Sequence, residues 1–370
     1  MDILGQIPIQ SILFLVFYGI TGVVPLLAAV YLLLRRANAI APGVTSPLRL
    51  RRWTAAFFAV STLAHIWWLL FYIFSGDPQS LAYLVIVMVD CVILFTTFAG
   101  TLLAMLQDRR RPVWPALVAM ILFVALWGVY MVYPSKLIEQ IVSVYLLVLI
   151  LLFTGHIVVA IRQYGHWLND NYADLEDKKV WLCQTVALVC MLLYALYVFA
   201  TSMVFIWLIH IIELVLVGLL LWRVETLPSL SLSPDPSLTP TPSPKGEAVA
   251  ASETFDQDYI SGLLNEYCVA PQLYLQHELS LQKLAQEVGT NRFYLSQYFS
   301  RQGITYNTYI NNLRINYFIS RYQELTAAGQ PIIAQQLASE SGYHSYSTFS
   351  LAFKQRTGQS VTAWIRETTE

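Results

Sequence analysis

Several ionisable side chains lie inside long apolar runs of this sequence, among them His65, Asp90, His156, His210 and Glu213. Charge in hydrocarbon is costly, so such groups face protein or water rather than lipid. Two chemistries fit them. They can line a polar cavity for a ligand or a proton, or they can hydrogen-bond between helices and hold a bundle together. His210 and Glu213 are three residues apart and share one helix face. With Asp90 they make up a candidate intramembrane polar site. Covalent and metal chemistry have no comparable signal. Cys91, Cys183, Cys190 and Cys268 show neither metal-ligand nor disulfide spacing, and no nucleophile or phosphate loop is visible. The expectation is a protein that is not an enzyme and uses no cofactor and no metal.

The elements that hold these groups are apolar helices. Of the 370 residues 56% are hydrophobic and only 12% charged, about half the charge of a soluble protein. A span needs roughly 20 apolar residues. Seven runs qualify, at about 11–34, 54–74, 81–106, 113–132, 137–161, 180–199 and 203–222. The last two are divided only by Ala200, Thr201 and Ser202. Gly19, Gly22 and Pro25 in the first run suit close helix packing and a kink.

Basic residues in the short loops alternate. Arg35, Arg36, Arg49, Arg51 and Arg52 follow the first span, Arg109 to Arg111 the third, Arg162, Lys178 and Lys179 the fifth, and Arg223 the seventh. The loops between carry none or, at Lys136, one. Basic loops stay in the cytoplasm. This places the protein in the inner membrane as a multi-pass chain, with its N-terminus outside and its C-terminus in the cytoplasm. No Lys or Arg precedes the first span, so it is expected to remain rather than be cleaved as a signal peptide. The fifth loop carries Asp170, Asp174, Glu176 and Asp177 and reads as a cytoplasmic amphipathic segment, a candidate contact for the tail or a second copy.

Residues 1–223 thus form a sensor-like transmembrane domain, and 224–254 a Pro/Ser-rich linker. A stretch of that composition cannot bury a core and stays extended, with a reach of up to ~90 Å. Residues 255–370 have the composition of an ordinary soluble domain. Within them one pattern occurs twice, as LAQEVGTNRFYLSQYFSRQG from Leu284 and as LASESGYHSYSTFSLAFKQRTG from Leu337. In the first copy Leu281, Leu284, Ala285 and Val288 share a helix face, Gly289 permits the turn, Asn291 caps a second helix, and Leu295 and Phe299 face back. In the second copy Ile333, Leu337 and Ala338 form the inner face. Gly342 turns, Ser345 or His344 caps, and Phe349 and Phe353 pack inward. Such a pair of helices is a helix-turn-helix, whose second helix enters a DNA major groove. The stretch from Thr305 to Gln323 can hold the two units at a fixed separation.

At these residues the chain resembles the AraC/XylS family of transcription regulators. The likeness runs from about Leu281 to Ile365 and includes LRI at Leu313 and the closing GQSVTAWIR. It is similar to the branch with a multi-span N-terminal half, so sugar-type ligands are not implied. The resemblance implies base reading by Phe293, Ser296 and Gln297 of the first recognition helix, and by Tyr346, Ser347, Ser350 and Leu351 of the second. Gln pairs with adenine, Ser with several bases, and apolar groups meet the thymine methyl. Between Val288 and Arg366, Arg292, Arg301, Arg314, Arg321, Lys354, Arg356 and Arg366 oppose only Glu324 and Glu340. Arg292, Arg301, Lys354 and Arg356 flank the recognition helices as candidate phosphate contacts.

The fold class expected is all-α: a seven-helix transmembrane bundle, a Pro-rich linker and a double helix-turn-helix DNA-binding domain. The function expected is one-component transcription regulation, with double-stranded DNA, the bilayer, an unidentified signal ligand and a homodimer as partners. The alternative is a transporter or receptor whose tail binds protein.

Overall fold

The computed structural model describes residues 9–77, 80–197, 203–230 and 257–369. The boundary at Ala200–Ser202 and residues 231–254 of the linker lie outside the described residues. The described chain is all-helical, without strands. It divides into two compact units, one of residues up to Tyr164 with Val180–Leu232, the other of Gly165–Lys179 with Ser233–Glu370.

Among the described residues seven helices are long and apolar enough to cross a membrane. They are α1 (Ile9–Leu34), α2 (Leu48–Phe74), α3 (Leu81–Met105), α4 (Trp114–Val132), α5 (Lys136–Asn171), α6 (Trp181–Tyr197) and α7 (Met203–Thr226). Three extend beyond the apolar runs by more than two residues. Helix α2 begins at Leu48, ahead of its hydrophobic stretch. Helix α5 continues through a polar segment to Asn171, and α7 continues past Arg223 to Thr226. Apolar length measures what lipid can cover, whereas a backbone hydrogen-bond ladder carries on until something stops it.

Packing runs α1 on α2, α2 on α3, α6 on α7, and α7 back on α1. Close approach is built in at Gly22 and Gly100. A Cβ on Gly22 would meet His65 Cβ at 3.3 Å, and one on Gly100 would fall 2.2 Å from the Trp53 ring. Gly19 meets nothing within 4 Å and has no such duty. Met120, Phe123 and Val142 form a separate small core between α4 and α5, closed by Phe95 and Cys91 of α3.

A buried polar cluster fastens the end of α7. Glu225 is 1% exposed and pairs with Arg35. It also accepts from Tyr31 Oη at 3.0 Å and from the Ala39 and Ile40 amides at 2.6 and 3.2 Å. Asn38 donates to the Glu225 carbonyl at 2.7 Å. A buried ion pair broken on one side leaves an uncompensated charge. Glu225→Ala is therefore expected to cost about 3–5 kcal/mol, seen as a lower unfolding midpoint of the detergent-solubilised chain. The joint change Arg35→Met, Glu225→Leu should recover most of that loss. A single variant as stable as the parent would refute the account.

Candidate nucleic-acid interface

The second unit is built on α11 (Tyr306–Ala327), the longest helix of the C-terminal segment. Before it come α8 (Gln257–Leu264), a π-turn at Asn265–Val269, α9 (Leu281–Val288) and α10 (Arg292–Arg301). After it come α12 (Ala334–Glu340), α13 (Tyr346–Thr357) and α14 (Val361–Thr369). The N-terminal half of α11 supplies Tyr306 and Ile310 to a core with Leu284, Ala285, Val288, Leu295 and Phe299. Its C-terminal half supplies Ile315, Phe318 and Tyr322 to a core with Leu337, Ala338, Phe349 and Phe353. Each core is one helix-turn-helix, and α11 joins them rigidly. Cys268 is buried in the first core, which pushes its thiol up to about 12 and makes it a small packed group rather than a reactive one.

The turns follow their sequence. Gly289 has φ +73° and Gly342 φ +89°, the left-handed region open to glycine. Asn291 caps α10 by accepting from the Phe293 amide at 2.8 Å, and Ser345 caps α13 by accepting from the Thr348 amide at 3.2 Å. His344 is not the cap. Ile333 is also not on the inner face. It occupies the cap position before Ala334 with an extended backbone and is 65% exposed. The helix starts one residue later than the apolar period implies, and Leu337 and Ala338 are the residues of α12 buried in the core.

Phe293 stands out from the first turn of α10, 66% exposed, with Tyr294 beside it. Ser296 is exposed and Gln297 half-buried on the same helix. On α13, Ser347 and Leu351 are exposed and Ser350 is half-buried, while Tyr346 leans on Phe349 with ring centroids 5.7 Å apart. The seven residues therefore lie on the two second helices, with Tyr346 partly withdrawn into packing. Arg292, Arg301 and Lys354 are exposed. Arg356 donates to the Asn312 carbonyl and to Asn316 Oδ1, which ties α13 to α11.

Arg314 is not a surface cation. It is fully buried between the two cores. Its guanidinium donates to the Tyr274 and Gln276 carbonyls at 2.8 Å and to Asp174 Oδ1 at 2.9 Å, and lies over the Tyr343 ring. Asp174 comes from the segment between the fifth and sixth spans. The acidic character of that segment is plain in its composition, but nothing local pairs residue 174 with residue 314.

The candidate intramembrane residues do not form one group. Glu213 accepts from Ser61 Oγ and lies 3.4 Å from His65 Nε2. The His65 and His210 rings are 5.5 Å apart, and Tyr18 touches both. Asp90 instead accepts from Trp68 Nε1. His65 and Ser61, outside the original set, complete the Glu213 site.

Residues 284–367 match a family model described as a helix-turn-helix domain, HTH_18. The match supports the likeness to AraC/XylS regulators and a role as a DNA-binding transcription regulator. No curated protein and no solved structure matches the chain.

The two turn glycines separate conformational strain from crowding. A Cβ at Gly289 meets nothing within 4 Å, whereas one at Gly342 falls 2.8 Å from the Leu275 carbonyl and 2.9 Å from Arg314 Nε. Gly289→Ala is expected to cost about 1–2 kcal/mol from the left-handed backbone alone. Gly342→Ala should cost clearly more, because it also displaces Arg314. Hydrogen exchange of α11 in the two variants measures the difference, and equal losses would contradict the crowding argument.

Proposed function

We propose that this protein is a membrane-integrated one-component transcription regulator. Its two helix-turn-helix units bind promoter DNA, and its apolar helices sense a signal in or across the bilayer. The carrying observation is the coexistence, in one chain, of seven helices long enough to span and a paired helix-turn-helix built on a single rigid helix. The alternation of basic loops supports an inner-membrane location with both termini as expected, N-terminus out and DNA-binding domain in the cytoplasm.

In this reading Phe293, Ser296, Gln297, Ser347, Ser350 and Leu351 meet base edges, with Tyr346 contributing from the margin. Arg292, Arg301 and Lys354 meet phosphates, and Arg356 serves a phosphate only if it leaves its α11 partners. Gln297 carries the most discrimination, since a bidentate contact to adenine is worth about 1–3 kcal/mol. Two protomers held in the membrane would give each tail a raised effective concentration for paired sites. The Glu213–His65–His210 cluster with Tyr18 is the sensing site this reading favours, because it joins groups from α1, α2 and α7.

The test is DNA crosslinking in cells followed by sequencing of what co-purifies with the full chain from the membrane fraction. Discrete sites, lost in the Gln297→Ala, Ser350→Ala double variant, are expected. Enrichment that the double variant leaves unchanged, or none under several growth conditions, would favour a protein-binding tail. In vitro, binding should fall steeply between low and moderate salt, because phosphate contacts release counterions.

A further inference from the structure

The segment Gly165–Lys179 packs against the helix-turn-helix units as part of the same compact unit, and its two halves do different things. Residues 172–174 are an anchor. Ala173 is 2% exposed within the first core, and its amide donates to the Leu279 carbonyl at 3.3 Å. Asn307 donates to the Tyr172 and Ala173 carbonyls at 3.2 and 2.6 Å. Asp174 accepts from Arg314 and from the Glu278 amide, both at 2.9 Å. This half is part of the fold.

Glu176 and Asp177 are placed differently, being exposed, whereas Lys178 beyond them is buried over the Tyr172 ring. Glu176 opens a short helical turn and reaches the first turn of α13. Its carboxylate accepts from the hydroxyls of Ser345 and Thr348, and from Ser347 at 3.4 Å. These contacts are at the edge of the unit rather than in its core. The first turn of a recognition helix is where base edges are met. A helix N-terminus also favours any anion, a carboxylate as well as a DNA phosphate. Glu176 therefore holds the ground that DNA would need, and presents a negative charge to the phosphate backbone.

We propose that Glu176 is an intrachain latch that competes with DNA for the N-terminus of the second recognition helix. The proposal rests on the DNA-binding reading above. Release needs no unfolding, for two reasons. Ser345 caps α13 by accepting from the Thr348 amide, a bond that does not use the Glu176 carboxylate. The anchor at Ala173 and Asp174 makes its contacts with α11 and with Glu278 and Leu279, none of them on α13. Only Lys179 and Val180 separate the turn carrying Glu176 from α6, which starts at Trp181. A shift at the start of α6 is thus passed along the chain directly to Glu176. This gives an input from the spans to the DNA-binding surface that bypasses the linker.

The test uses the full chain in phosphatidylcholine nanodiscs and a fluorescent pool of random-sequence duplexes at low salt. Glu176→Ala and Glu176→Gln should each bind the pool at least fivefold more tightly than the parent. Asp170→Asn removes the same charge from an exposed site on α5 and should leave affinity unchanged. Hydrogen exchange of α11 and α13 should be the same in all four proteins, apart from faster exchange at the first turn of α13 in the Glu176 variants. Affinity unchanged or weakened by both Glu176 variants, while the parent binds duplex, would overturn the latch and leave the DNA-binding reading standing. An equal gain from Asp170→Asn would also overturn it, since the effect would then be bulk charge. If neither parent nor variants bind duplex, both readings fall.

Discussion

The Arg314 guanidinium is the group on which the C-terminal unit is organised. It lies near the middle of α11, between residues that serve the first core and residues that serve the second. A buried charge is costly unless its donors are met. Here they are met by two carbonyls of the 272–276 turn and by the Asp174 carboxylate, with the Tyr343 ring packed beneath. Four stretches of chain must therefore arrive together before this charge is accommodated. Gly342 is part of the same arrangement, because any side chain there would push on Arg314 Nε. The relative placement of the two recognition helices follows from this one residue and the helix that carries it.

Burying Arg314 also changes the electrostatics of the surface left for DNA. Of the basic residues between Val288 and Arg366, Arg314 faces inward, Arg321 pairs with Glu324 at 2.9 Å, and Arg356 is tied to α11. Arg292, Arg301, Lys354 and Arg366 remain exposed. With so few exposed cations, counterion release supplies only a moderate affinity, one that added salt readily removes. A single carboxylate at the N-terminus of α13 then weighs more than it would against a strongly basic face.

Much of this architecture was legible because the signals are local. Apolar length marked all seven helices, and Asn291, Ser345, Gly289 and Gly342 marked the caps and turns one residue at a time. Ile333 falls off the inner face because its backbone is extended and α12 starts only at Ala334, a boundary that the apolar period does not mark. The Arg314–Asp174 pair and the Glu176 contacts span 140 and about 170 positions of sequence. Composition could mark the segment as acidic, but it could not say that the acid at 174 is structural while the acid at 176 meets a recognition helix. His65 was visible as an ionisable group in a span. Its pairing with Glu213 rather than Asp90 depends on which faces of α2 and α7 meet.

The apolar unit contains two polar fastenings on one helix. Glu213 joins α7 to Ser61 and His65 of α2, and through the His210 ring to Tyr18 of α1. Glu225 joins the end of α7 to Arg35, Tyr31 and the loop at Asn38–Ile40. At 1.5 Å per residue the two carboxylates are about 18 Å apart along the axis. A helix held at two such points resists bending and turns or slides as a rod. Buried polar contacts have few competing partners, so rearranging one favours a second discrete arrangement over a graded drift. A change at Glu213 would accordingly be felt at Glu225, at the last turn of α7. Helix α6 packs along α7, so a rotation of that rod also bears on the helix whose first residue lies just beyond Lys179 and Val180.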